Sequence, residues 1–282
     1  MNYSIVVLGS VQDGGYPQIG CDSACCSNVN EPNRFVSCLS IVDNDSGQFW
    51  LIDITPDFRH QIKLLNGHVP LLDPAGIFLT HAHSGHYTGL IELGREVMNA
   101  KKIPVYVMPR MKDFLIRNDP WKQLILQGNI TLVDLDNGLR ISLADTLTII
   151  PFAVPHRGEL TETVGYKIRG LEKTVIYLPD IDGWEQWELD ISEIVQENDL
   201  LFLDGTFFNT EEIPHRDVDE IPHPLISKSM DLFKDLKDQD KEKIHFIHLN
   251  HTNNVLRNGS KEQKAVIENG YKITAEGMEF QI

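Results

Sequence analysis

Residues 76–90 read Gly-Ile-Phe-Leu-Thr-His-Ala-His-Ser-Gly-His-Tyr-Thr-Gly-Leu. An apolar run ends at Thr80, three histidines follow within six residues, and a helical pattern then begins. This segment constrains the fold more than any other. The apolar run fits a strand buried on both faces, and the polar residues crowd its end, so a site must open where the strand stops. In extended backbone His81 and His83 project to the same side, and His86 can turn back toward them from the following helix. Converging imidazoles on rigid elements are what a divalent transition metal needs: neutral nitrogen donors held in place.

The rest of the chain supplies elements for such a sheet. Apolar, β-branched runs predict strands at Ile5–Leu8, Leu39–Val42, Phe49–Ile52, Ile77–Leu79 and Val105–Met108. Later strands are predicted at Thr131–Leu135, Leu147–Val154, Thr174–Leu178, Leu200–Leu203 and Ile244–Leu249. The stretch Asp43-Asn44-Asp45-Ser46-Gly47 reads as a hairpin connection. Helical spacing appears over Asp57–Leu65, Tyr87–Met98, Met111–Ile116, Pro224–Leu236 and Lys261–Glu268. Each half of the chain runs strands and then helices, which predicts two sheets covered outside by helices within a single domain, 1–282. With 25 Lys and Arg against 41 Asp and Glu, the formal charge of −16 argues against a broad nucleic-acid or anionic-membrane surface. No apolar run approaches the roughly 18 residues of a membrane span, and residues 1–9 read as a first strand rather than a signal peptide. A cytoplasmic location is the expectation.

The histidine segment resembles the His-x-His-x-Asp-His signature of the metallo-β-lactamase superfamily, and other landmarks follow in that family's order. Leu51-Ile52-Asp53 resembles the first motif and Ala153-Val154-Pro155-His156 the third. Ile176–Asp180 resembles the fourth and His248-Leu249-Asn250-His251 the fifth. Asp53–Gln61 is similar to a segment of the pyrroloquinoline quinone biosynthesis protein B family and of phosphonate-pathway phosphodiesterases. Leu203–Thr206, Asn250–Asn253 and the glycine-rich start Gly9–Gln18 resemble the quinone-biosynthesis branch more specifically. The resemblance implies a four-layer αββα sandwich. It also implies a metal centre of His81, His83, His86, His156, Asp180 and His251, with Asp180 bridging two ions.

One departure alters that site. Where the signature has its aspartate, this chain has Gly85. The first position would keep His81, His83, His156 and Asp180; the second would keep Asp180, His86 and His251, with no oxygen donor of its own. One divalent metal or two are then both open, zinc first, with iron or manganese as alternatives. Glycine leaves room for a water or for a carboxylate from elsewhere, such as Asp57, and Gly85→Asp is expected to raise the metal count.

The chemistry implied is hydrolysis by metal-bound hydroxide, on a phosphodiester or similar ester of a small molecule. Asp53 would orient a ligand histidine through its other nitrogen. Asp204 and His223 resemble the acid–histidine pair of tRNA 3′-processing endonucleases, in which the histidine protonates the leaving oxygen. His215 lies in the same polar insertion and is an alternative. Arg59 and Arg157 could meet an anionic substrate. The quinone-biosynthesis branch implies a second class, an iron-dependent oxidative enzyme, and Gly85 leaves open a non-catalytic, metal-stabilised binding protein. The partners expected are a small, anionic substrate and a second copy in a homodimer, without nucleic acid or membrane.

Cys21-Asp-Ser-Ala-Cys25-Cys26 is dense enough for a thiolate metal site. Both similar branches carry a Cys-x-Cys-x-x-Cys structural zinc segment at this place. Here Ser23 replaces the middle cysteine and Cys25 is extra. The expected ligands are Cys21, Cys25, Cys26 and His248, with Cys38 in the core.

Overall fold

The structure, a computed structural model, describes residues 2–27, 32–68, 73–212 and 222–282. His215 and the acidic run 217–220 lie outside the described residues.

Alternation along the first strand sets the layering. In β1 (Tyr3–Gly9), Tyr3, Ile5 and Val7 join one buried cluster, while Val6 and Leu8 join another on the opposite face. The first sheet continues through β2 (Cys38–Asp43), β3 (Phe49–Ile52), β4 (Gly76–Phe78), β5 (Ile103–Val107) and β6 (Ile130–Asp134). The second comprises β7 (Ile141–Ala144), β8 (Leu147–Val154), β9 (Thr163–Arg169), β10 (Thr174–Leu178), β11 (Leu200–Asp204), β12 (Ile244–Ile247) and β13 (Lys272–Ile273). A last strand, β14 (Glu279–Gln281), returns to pair with β1. The sheet orders are β14-β1-β2-β3-β4-β5-β6 and β13-β12-β11-β10-β9-β8-β7.

Between the sheets pack Ile41, Trp50, Phe78, Tyr166, Tyr177 and Phe202, among others. Outside the first sheet, the helices at Phe58–Leu65 and Pro109–Arg117 bury Phe58, Leu65, Met111 and Leu115 against Leu51 and Val105. Outside the second, the helices at Ile191–Glu197, Ile226–Leu232 and Lys261–Glu268 bury Val195, Ile226 and Val266. This is the αββα sandwich that the sequence predicts.

Each sheet is antiparallel in one half and parallel in the other. Two antiparallel steps restore direction, so β1, β3, β4 and β5 run the same way, as do β8, β10, β11 and β12. Their carboxyl ends carry the polar residues, the place where open α/β sheets leave a crevice.

The helix predicted over Tyr87–Met98 is shorter: one turn, Ser84–Tyr87, followed by a 3₁₀ segment, Thr88–Leu93. Gly89 explains the change. A Cβ there would strike the backbone oxygens of Ile54 and Thr55, and Gly89 N donates to Ile54 O at 3.0 Å, outside the helical ladder.

Candidate metal centre

Six strand ends deliver the site. Asp53 follows β3, and Thr80 and His81 lie just beyond β4. His156 lies two residues past β8 and Asp180 two past β10; Asp204 ends β11, and His248 follows β12. His83 and His86 come from the turn and short helix after β4, and His223 from the segment before the helix at Ile226–Leu232. All but His83 are buried.

The donor atoms fall into linked groups. His81, His83 and His156 place ligand atoms within 4.8 Å of one another, as do His81, His86 and Asp180. His156 Nε2 lies 3.4 Å from His83 Nδ1 and 3.7 Å from Asp180 Oδ1. On the other side, His86 Nε2 and His248 Nε2 lie 3.3 and 3.4 Å from Asp180 Oδ2. Asp180 therefore stands between two groups. His81 Nε2, His86 Nε2, His248 Nε2 and Asp180 Oδ2 are buried without a hydrogen-bond partner. Buried polar atoms are rarely left so. Several orphans aimed at one another fit a cation-binding centre.

The opposite ring nitrogens are held. His86 Nδ1–H donates to Asp53 Oδ2 at 2.7 Å. Thr80 Oγ1–H donates to Asp53 at 3.0 Å, which leaves its lone pairs for His81 Nδ1–H, also at 3.0 Å. Asp204 repeats the device. Its Oδ2 accepts from His223 Nδ1–H at 2.8 Å and its Oδ1 from Thr206 Oγ1–H at 2.8 Å. Thr206 Oγ1 in turn accepts from His248 Nδ1–H at 3.0 Å. Each buried aspartate thus fixes one imidazole directly and a second through a threonine. In His81, His86 and His248 this leaves Nε2 as the inward atom. His156 Nδ1 is approached by Asp182 Oδ1 at 2.9 Å, off the line of a hydrogen bond. Asp53 and His248 hold φ of 66° and 62°, a region that non-glycine residues seldom adopt.

The electrostatics divide the histidines into two classes. Burial first, and neighbouring histidines next, push the pKa of His81 and His248 well below the usual imidazole value and bring His156 down to about 2. These rings are neutral, with lone pairs available. Burial also works against charge on His86 and His223, but Asp53, Asp13 and Asp180 outweigh it at the first, and Asp204, Asp180 and Asp182 at the second, so both are raised. Burial raises Asp180 to about 7, against the pull of His86 and His223.

Two sequence assignments are exchanged. His248, expected beside the cysteines, sits in the histidine centre; His251, expected in that centre, lies within 4.8 Å of the thiols of Cys21, Cys25 and Cys26. The backbone explains the exchange. His248 directly follows β12 and its positive φ turns the ring toward Asp180. The chain then bonds across to Thr206 O through Asn250 N and turns, so His251 faces the cysteine loop. His251 Nδ1 is buried without a partner, and Cys21 Sγ and Cys25 Sγ are 3.8 Å apart. Asp57 is not at the centre: it accepts from Val36 N at 2.9 Å. Arg59 is exposed on its helix, whereas Arg157 lines the cavity over the histidines. Cys38 is core, its Sγ–H donating to Asp53 O.

Sequence reasoning missed Asp13. It belongs to a group with His86 and His248, its Oδ1 lying 3.5 Å from His86 Nε2 and unpartnered. Burial pushes its pKa up, but His86, His248 and His83 together bring it well below the carboxylate range. The available signal was direction: β1 runs with β3 and β4, so the Gln12-Asp13-Gly14-Gly15 turn arrives at the same end as the histidines.

The cavity above these groups measures about 610 Å³ and is also lined by Gln12, Tyr87, Arg157, Leu160, Phe207 and Thr252. Among the described residues, no helix is long and apolar enough to cross a membrane.

Comparison with known proteins gives consistent relatives. The profile of the Beta-lactamase superfamily domain matches residues 50–248. Coenzyme PQQ synthesis protein B of Methylococcus capsulatus is 26% identical, over 98% of this chain and 99% of its own. The crystal structure of Zn²⁺-bound PqqB from Methylobacterium extorquens superposes with a TM-score of 0.84 at 21% identity, covering 99% of this chain and 100% of that one. A diphosphatase of the PhnP family gives a TM-score of 0.73 at 23% identity, covering 100% of this chain and 98% of that one.

Proposed function

Since the chain belongs to the family of β-lactamase superfamily domains, we propose that it is a metal-dependent hydrolase of a phosphodiester or similar ester of a small, anionic molecule. His81, His83, His156 and Asp180 would hold one divalent ion, with His86 and His248 across Asp180 available to a second. Imidazole nitrogens with a carboxylate oxygen would suit zinc. Such a metal polarises the ester oxygen under attack and acidifies water. Cys21, Cys25, Cys26 and His251 would form a Cys₃His structural zinc site apart from the chemistry.

The chain's own residues do the rest. Asp53, Thr80, Asp204 and Thr206 hold the Nδ1 side of the rings, so Nε2 is the atom that faces inward. Arg157 meets the substrate's negative charge at the cavity, whose volume suits a small molecule. His223, fixed on Asp204 through Nδ1, keeps Nε2 for the cavity it lines and gives its proton to the departing oxygen. The Asp204–His223 pair, 2.8 Å apart beside Asp180, is the observation that carries the hydrolytic reading.

Leaving-group dependence tests it. His223→Ala should lower kcat by about 10²- to 10⁴-fold on an alkyl phosphodiester, whose leaving oxygen needs a proton. On bis-p-nitrophenyl phosphate, whose phenolate leaves unprotonated, the loss should be small. Equal losses on both would contradict the role.

A second reading, iron-dependent oxidation at the same histidines, is supported by the full-length similarity to coenzyme PQQ synthesis protein B. Dioxygen consumption by the iron-loaded protein, abolished in His81→Ala, would favour it.

A further inference from the structure

We propose that Asp13 supplies the oxygen ligand of the second metal position, taking the place that Gly85 leaves empty from a different part of the chain. The inference rests on the metal-centre reading above and adds a ligand to it.

Three observations meet here. The first is volume. A Cβ built on Gly85 would fall on Asp13 Oδ1 and within 2.9 Å of Asp13 Cα. The carboxylate of residue 13 therefore fills the space that a side chain at residue 85 would need. The second is the state of the atoms. Asp13 Oδ1, His86 Nε2, His248 Nε2 and Asp180 Oδ2 are all buried and all without a hydrogen-bond partner. The third is spacing. His86 Nε2 lies 3.5 Å from Asp13 Oδ1 and 3.3 Å from Asp180 Oδ2, and His248 Nε2 lies 3.4 Å from Asp180 Oδ2. Donors about 2.0–2.1 Å from a tetrahedral zinc stand about 3.3–3.4 Å from each other. Asp13, His86 and His248 place ligand atoms within 4.8 Å of one another, and Asp180 stands at coordination spacing from both of those histidines.

The turn that presents Asp13 is anchored for the purpose. Gln12 N donates to Leu249 O at 3.0 Å, and Leu249 N to Ser10 O at 3.0 Å, which joins the turn to the residue after His248. Gly15 N closes the turn on Gln12 O at 2.9 Å, with Gly15 at φ +70°. Asp13 and His248 are therefore positioned by one short piece of paired backbone.

The arrangement reverses the expectation for Gly85→Asp. With Asp13 present, the new side chain has no room, and that variant should lose stability and gain no metal. Moving the acid is the decisive experiment. Wild type, Asp13→Asn, Asp13→Ala and the double variant Asp13→Gly/Gly85→Asp are purified with zinc, and metal per chain and zinc affinity against a competing chelator are measured. Circular dichroism confirms folding, and the size-conserving Asp13→Asn keeps the test valid if Asp13→Ala folds poorly. The expected result is that both single variants lose one cavity zinc, or bind it at least about tenfold more weakly, while the double variant recovers it. If both single variants keep every cavity zinc at wild-type affinity, Asp13 is not a ligand and the proposal is overturned, with the metal-centre reading intact. If wild-type protein binds no zinc beyond the cysteine site, both are overturned.

Discussion

Thr206 shows how much depends on one hydroxyl. It has a single proton, spent on Asp204, so toward His248 it can only accept. That direction holds the proton of His248 on Nδ1 and leaves Nε2 a lone pair. Thr206→Val keeps the shape and removes the acceptor, so the ring can take the other tautomer and lose its inward donor. Zinc affinity of the cavity should fall about 10- to 100-fold, as is usual when the partner of a ligand histidine is lost, and Thr206→Ser should restore it. Chelator competition reads the effect; unchanged affinity in Thr206→Val would mean that the ring orients without this bond. Thr80 makes the matching arrangement with Asp53 and His81.

Strand ends decide what can be read in advance at the level of elements. The ten apolar runs predicted as strands are all present; β1, β3, β4, β11 and β12 are buried on both faces, which leaves continuous hydrophobic sequence, while β5 and β8 alternate. β9 escaped because Gly165, Lys167 and Arg169 break its apolar pattern. Gly165 is there for packing, since a Cβ would meet the ring of Phe152. Asp53, His81, His83, His86, His156, Asp180, Asp204 and His223 were legible because each sits at or just past a strand end, or in the segment that follows one. His248 and His251 were exchanged because choosing between them requires the φ of His248, which no residue pattern announces. Asp13 was hidden because its partner residue, Gly85, lies 72 positions away (85 − 13), on another strand's exit.

β12 carries a further consequence. His245 is buried between Phe202 and Phe280, its Nδ1 on Lys243 O at 3.2 Å and Lys272 nearby. Burial brings its pKa from 6.5 down to about 4. Between those values the unfolded chain binds a proton that the folded chain refuses, so stability falls as pH drops through the window and levels off below it. His245→Gln should therefore lose less stability than wild type between pH 6.5 and pH 4 in urea titrations. The metal-centre histidines are common to both proteins and cancel in the difference. Parallel pH curves would refute the buried-neutral assignment.

Across the whole molecule, the two sheets meet over one apolar interior and present their carboxyl ends to a common crevice. The first sheet contributes Asp13, Asp53, His81, His83 and His86; the second contributes His156, Asp180, Asp204 and His248. Asp180 reaches both groups, so ions bound there would tie the sheets together. The net charge of −16 says little about this, because the centre is a small buried set of imidazoles and carboxylates. The most direct test is the metal content of zinc-reconstituted protein, in wild type and in His251→Ala. The expected result is three ions per chain, two in the histidine cavity and one at the cysteines, with His251→Ala losing only the last. A wild-type protein carrying a single ion, removed by His251→Ala, would contradict the metal centre.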